Sequence, residues 1–149
     1  MRTLRVLIAA LALNLPVAAS AEAQSPSAAG VPRTSAPTEA RVYFISPKNG
    51  ETIKGPVTVR FGLIGMGVAP AGTVAENTGH HHLIVDAPLP ALDQPLPKDA
   101  THLHFGKGQT ETVLTLAPGK HTLQLVLGDA NHIPHTPPVV SEQITITVK

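Results

Sequence analysis

The chain is predicted to be all-β, an immunoglobulin-like antiparallel β-sandwich of about seven strands. Three observations predict it. Apolar and polar residues alternate with a period of two in one segment after another. Gly, Pro, Asn and Asp punctuate those segments at short intervals. No stretch carries a long helical period of apolar residues.

The segments follow in order. "RVYFIS" (41–46) reads as a strand closed by the turn "PKNG". "GPVTVRFGLIG" (55–65) sets Val57, Val59, Phe61 and Leu63 against Thr58, Arg60 and Gly62, a strand with one buried face. "GHHHLIVD" (79–86) is the third. "APLPALDQPLPKDA" (87–100) is too rich in proline to be a central strand. "THLHFG" (101–106) is a short strand, and "TETVLTL" (110–116) follows a glycine turn. "KHTLQLVLG" (120–128) aligns Leu123, Leu125 and Leu127 on one face, and "EQITITVK" (142–149) aligns Ile144, Ile146 and Val148. A proline-rich loop, 129–140, joins the last two.

The N-terminal residues read differently. Arg2 and Arg5 precede an apolar run from Val6 to Leu15, followed by small-x-small sites at Ala19–Ala21 and Ala21–Ala23. That is the layout of a secretory signal peptide over 1–23, and the run is short for a bilayer span. Residues 24–40, rich in Pro, Ser, Ala and Thr, have little to bury and read as a disordered tether. The folded domain is expected over 41–149. The expected compartment is therefore the periplasm or the exterior, with no membrane span after cleavage.

Charge and composition narrow the function. The formal charge is +1 over 149 residues, which makes no electrostatic case for nucleic acid or anionic membrane. Cleavage after Ala21 would remove two of the 11 basic residues and none of the 10 acidic ones, leaving −1. With no cysteine, the fold has no disulfide, and a metal site must use histidine, carboxylate or methionine.

Eight histidines stand out in such a chain. In the expected topology the connections after the second and sixth strands share one pole with the start of the third. That places Met66, His80, His81, His82, His132 and His135 at one end, and strand 101–106 returns His102 and His104 there. His121 falls at the other end, beside the turn "APG", where an imidazole N–H can bond back to a turn carbonyl. It reads as structural.

Alternation makes His81 inward and His80 with His82 outward, while Leu103 and Phe105 turn His102 and His104 outward together. If strand 101–106 pairs with 79–86, His82 lies near His102 and His80 near His104, at about 5 Å. If it joins the opposite sheet, no shared site forms on the faces. Both arrangements are open to the sequence.

Two His-x-His pairs and His132-x-x-His135 suit copper or zinc. Asp129 and Glu76 are candidate carboxylate ligands or partners that fix a tautomer, and Met66 offers a thioether. Two other readings compete: histidines that brace loop bases, and a pH-sensing interface of outward imidazoles. Catalysis has little support, since no serine or cysteine nucleophile stands beside a histidine in a recognisable motif. Copper–zinc superoxide dismutases share a β-sandwich and a His-x-His strand, but their glycine and charge motifs are not found here.

The combination of "HHHLIVD", "H-x-HFG-x-GQTE", "L-x-PGKHTLQL" and "GD-x-x-H-x-PH-x-PP" resembles the exported bacterial domain of unknown function 4399, over roughly residues 52 to 149. Members tend to be secreted or periplasmic, so the resemblance implies that compartment and no established reaction. It marks His80, His81, His82, His102, His104, Gln109, Asp129, His132 and His135. The sequence thus points to an exported binding protein holding copper or zinc with His80, His82, His102, His104, His132 and His135. The alternative is a non-catalytic cell-envelope interaction module, partnered by another envelope protein, whose histidines brace loops.

Overall fold

A computed structural model describes residues 32–149. The expected signal peptide and the first part of the expected tether lie outside the described residues. Among the described residues there are nine strands and no helix. In chain order they are β1 (Arg41–Ser46), β2 (Thr52–Ile53), β3 (Val57–Ile64), β4 (Gly67–Val68), β5 (Thr78–Val85), β6 (His102–His104), β7 (Glu111–Leu114), β8 (Gly119–Gly128) and β9 (Ile144–Val148).

They form two sheets, a smaller one in the order β1-β3-β7 and a larger one in the order β2-β9-β8-β5-β4. The outer edge of β5 is shared: β4 pairs with its start, and β6 pairs with His82, Leu83 and Ile84. The all-β class is as expected. The immunoglobulin-like antiparallel arrangement of about seven strands is not confirmed: nine strands are present among the described residues, and β2–β9 and β4–β5 are parallel pairs. β2 and β4 have two residues each, too few for a period of two to register.

Alternation builds the core. Val57, Val59 and Phe61 on β3 are buried while Thr58 and Arg60 are exposed. They meet Val42 and Phe44 of β1, Leu83 and Val85 of β5, Leu123, Leu125 and Leu127 of β8, and Ile144, Ile146 and Val148 of β9. One apolar cluster thus draws on both sheets, and burial of side chains of this size is worth about 1.5–3 kcal/mol each.

The other face of the larger sheet is also covered. Ile84 of β5 and Val126 of β8 pack with Leu96 in a second apolar cluster, flanked by Ala87, Leu92 and Val140. These come from the proline-rich loops on either side, 86–101 and 129–141. The loops are joined where the Leu96 N–H donates to the His132 carbonyl (2.8 Å). Every residue from Gly79 to Val85 is consequently buried. The faces of His80 and His82 were expected to point outward, and they do, but into this second layer rather than into water.

The expected tether also differs at its C-terminal end. Arg33 Nε donates to the Pro134 carbonyl (3.0 Å), its Nη2 donates to the His135 carbonyl, and the Ala36 N–H donates to the Thr136 carbonyl (3.0 Å). Ala36 and Ala40 pack against the main core. The low apolar content of 24–40 hid this, because the docking is made by backbone groups and one guanidinium.

Candidate metal centre

β5 places His80 and His82 on one face, two residues apart. Across β8 they oppose Gly128 and Val126, and β6 lays His104 directly beside His82. The fourth imidazole comes from the loop after β8. His132 sits there with φ 68°, a left-handed conformation that costs a non-glycine residue roughly 1–2 kcal/mol.

A carboxylate knot holds that conformation. Asp129 Oδ1 accepts from the N–H groups of Asn131 (2.8 Å) and Ile133 (3.0 Å), and Oδ2 accepts from the Thr34 hydroxyl (2.7 Å). The His132 N–H in turn donates to the Asp129 carbonyl. Burial alone would raise the Asp129 pKa, but the bonds from Thr34, Ile133 and Asn131 outweigh it and the net shift is downward. Asp129 is therefore a charged clamp that presents His132.

Two glycines make room for the rings. A Cβ on Gly106 would run into the His104 imidazole. A Cβ on Gly128 would lie 3.0 Å from His82 Nε2 and 3.4 Å from the His132 Cα.

The four rings converge. His80 Nε2 lies 3.0 Å from His82 Nε2, and His104 Nε2 lies 3.1 Å from His132 Nε2. One ligand nitrogen each from His80, His104 and His132 fall within 4.8 Å of one another, a set that does not include His82. Two nitrogens at about 2.0–2.1 Å from one ion stand about 2.9 Å apart at a right angle and about 3.3 Å apart in a tetrahedron, which brackets both contacts.

The electrostatics favour the neutral form of His80, His82 and His104. His80 is lowered from its ordinary 6.5 to about 4, chiefly by burial and then by His132 and His104, with Asp129 offsetting part of the effect. His82 is also lowered by burial, with His80, His104 and His132 adding to it. His104 is lowered by burial, His132 and Lys98. A neutral imidazole has a free lone pair, the form a metal needs.

His102 and His135, two of the six expected ligands, are engaged elsewhere. β6 is slid by two residues from the expected register, so His102 opposes Ile84 and His104 takes the place beside His82. Asp99 fixes this register: its Oδ1 accepts from the backbone N–H groups of Thr101 (2.8 Å) and His102 (2.9 Å), and His102 Nδ1 donates to the same carboxylate (2.9 Å). The bond from His102 and those from Thr101 hold Asp99 well below the usual carboxylate range. His135 Nε2 donates to the Thr78 carbonyl (3.1 Å), and the Arg33 guanidinium caps the His135 carbonyl.

The remaining candidates also find other roles. Met66 packs against the main core, Glu76 is exposed, and Gln109 Oε1 accepts from the Lys107 N–H (2.9 Å) to close the glycine turn. His81 points inward as expected, its ring centroid 5.1 Å from that of Phe61. It is lowered to about 4, chiefly by burial, and neither ring nitrogen makes a hydrogen bond among the described residues. His121 is structural, bonded to Asp86 and to the Ala117 carbonyl.

The family model described as "Domain of unknown function (DUF4399)" matches residues 59–149. The chain belongs to this family. The matched span of DUF4399 includes all four convergent histidines, both accommodating glycines, and Asp129 with its Asn131 and Ile133 donors, while Arg33 and Thr34 precede it. No curated protein and no solved structure matches the chain.

Proposed function

We propose that this DUF4399 protein is an exported, periplasmic metal-binding protein that holds one copper or zinc ion among His80, His82, His104 and His132. The observation that carries the reading is the convergence of three histidine nitrogens within 4.8 Å of one another, with the fourth, His82 Nε2, 3.0 Å from His80 Nε2. Export is supported by the signal-like N-terminus.

The other ring nitrogens suggest what kind of binding this is. When Nε2 holds an ion, Nδ1 carries the proton, and histidine ligands ordinarily donate it to a carbonyl or carboxylate. Nδ1 of His80 and of His82 are buried with no acceptor among the described residues. Ligands without that support bind less tightly, by about 10–100-fold. This fits an ion that exchanges, as in buffering, delivery or tolerance, better than one held for turnover.

Loop bracing, the alternative, accounts for His102, His121 and His135, each bonded to a carboxylate or a carbonyl. In the convergent group it would leave imidazole–imidazole hydrogen bonds, His80–His82 and His104–His132, in place of bonds to carbonyls or carboxylates. The test is a thermal melt of the chain purified without a histidine tag, first with chelator and then with Cu(II), Cu(I) or Zn(II), alongside elemental analysis. A saturable rise in Tm with about one equivalent bound is expected of a site that binds only the folded state. No shift with any of the three ions would return all eight histidines to the bracing role.

A further inference from the structure

The mutually close nitrogens come from His80, His104 and His132; His82 adds a fourth ring, its Nε2 3.0 Å from His80 Nε2, and the arrangement of the four rings constrains which ions fit. The six centroid separations are 4.9 Å (His80–His82), 5.0 Å (His80–His104), 5.0 Å (His80–His132), 5.0 Å (His82–His104), 6.0 Å (His82–His132) and 4.7 Å (His104–His132). A ligating nitrogen stands about 2.0–2.1 Å from zinc, and the ring centroid roughly 1.1 Å beyond it. Four imidazoles around a tetrahedral ion therefore have all six centroid separations near ~5.2 Å, by the geometry of those bond lengths.

A square-planar ion makes a different pattern. The same bond lengths give four separations near ~4.5 Å and two diagonals near ~6.4 Å. The diagonals must join opposite pairs. If His82–His132 is one diagonal, His80–His104 is the other, and it measures 5.0 Å. The ring positions depart from the square and lie nearer a tetrahedron with one stretched edge, His82–His132.

The framework keeps it so. His80 and His82 are fixed on β5, a strand paired on both sides, and His104 is held by its register with His82. Gly128 lies along the stretched edge, where a Cβ would meet His82 Nε2 at 3.0 Å and the His132 Cα at 3.4 Å. The two rings can close on an ion because that space is empty of side chain.

We propose that His82 is a fourth ligand that completes a tetrahedral, all-imidazole site selective for d10 cations, Zn(II) and Cu(I), over Cu(II). This rests on the metal-binding reading above and deepens it. A d10 ion has no geometric preference of its own and accepts a tetrahedron, whereas Cu(II) favours tetragonal coordination. Nitrogen sites free to rearrange bind Cu(II) more tightly than Zn(II). Rings set near a tetrahedron by paired strands oppose that order. Four protein ligands also leave no open position, which separates this site from catalytic zinc centres.

The test uses the whole untagged chain, with Co(II) as a spectroscopic probe and Zn(II) and Cu(II) in direct titration. The expected result is the intense visible absorption of four-coordinate Co(II), with Cu(II) losing its usual large advantage over Zn(II). His82→Gln, checked by its melting curve and backed by His82→Ala, should dim the Co(II) bands and weaken Zn(II) by about tenfold or more. His102→Gln should change neither. A wild-type Co(II) spectrum of five or six ligands, a strongly preferred tetragonal Cu(II), or a folded His82→Gln with unchanged spectrum and affinity would each overturn the fourth-ligand assignment while leaving metal binding intact. If none of the three ions binds, the metal-binding reading fails and this inference goes with it.

Discussion

His121 and His80 lie towards opposite ends of β8, one on the strand and the other opposite its last residue, Gly128. Seven residues of strand, roughly 23 Å, separate them. At His121 both ring nitrogens donate to oxygens, Nδ1 to Asp86 Oδ2 (2.6 Å) and Nε2 to the Ala117 carbonyl (2.8 Å). At His80 and His82 the nitrogens meet other imidazoles, and Nδ1 of each has no partner among the described residues. The pKa values part accordingly. The Asp86 bond, with that to Ala117, raises His121, while burial lowers His80 and His82. One end uses histidine as a hydrogen-bond donor that ties a turn. The other keeps its histidines neutral and gathered, which is the chemistry of a ligand.

The strongest way to break this contrast is to remove the gathered end. His80→Ala with His82→Ala should abolish the metal-induced rise in Tm and weaken Zn(II) binding by more than about a hundredfold in calorimetric titration. Retained affinity would mean the ion binds elsewhere. A subtler substitution leaves every ligand in place. Gly106→Ala sets a Cβ against the His104 ring, and displacement of that ring should weaken Zn(II) by about tenfold or more. Gly119→Ala, where an added Cβ meets nothing within 4 Å but φ is 144°, should cost stability and leave affinity unchanged.

Much of this contrast was legible in the sequence. The alternation of Leu83 and Val85 set His81 inward and His80 with His82 on the opposite face, because side-chain direction in a strand follows a strict period. His121 was legible as a turn-bonded residue from the "LAPGKH" context. The register of β6 was not. His102 and His104 share a face either way, and a two-residue slide preserves every inside–outside assignment. Only Asp99, which binds the start of the strand through both backbone and side chain, chooses between them. The signal for it was "D-x-T-H" (99–102), an Asx-type pattern in which the carboxylate accepts from backbone two and three residues on. The buried outer face was also hidden, since proline-rich loops carry no period that reveals what they cover. His135 looked equivalent to His132 in spacing, and a backbone carbonyl, Thr78 O, takes it away.

The two ends should also oppose each other in their pH dependence. His80, His81 and His82 have folded pKa values below the unfolded 6.5. Between about 4 and 6.5 the unfolded chain binds more protons than the folded one at these sites, so their contribution to stability rises with pH through that window. His121 has a folded value above 6.5, so its contribution is complete below 6.5 and is lost as pH rises through the folded pKa. Melts of the chelated protein across pH, compared with His121→Ala, should show the variant losing only the higher-pH decline. Zn(II) binding should persist below pH 6.5, where ordinary histidines are protonated; half-loss at or above 6.5 would contradict the lowered values.

The smallest effect belongs to the tied end. His121→Ala should destabilise the fold by about 1 kcal/mol through the lost charge-assisted bond and leave metal affinity within about twofold of wild type. A change in affinity would show that the two ends are coupled.

The central claim is that the ion sits between β5, β6 and the loop after β8. A crystal of the untagged protein grown with one equivalent of Zn(II), with anomalous data collected at the zinc edge, addresses it most directly. The account predicts a single anomalous peak about 2.0–2.1 Å from nitrogens of His80, His104 and His132, with His82 completing the set. A peak beside His102 and Asp99 or at His121, or none inside the protein, would contradict it.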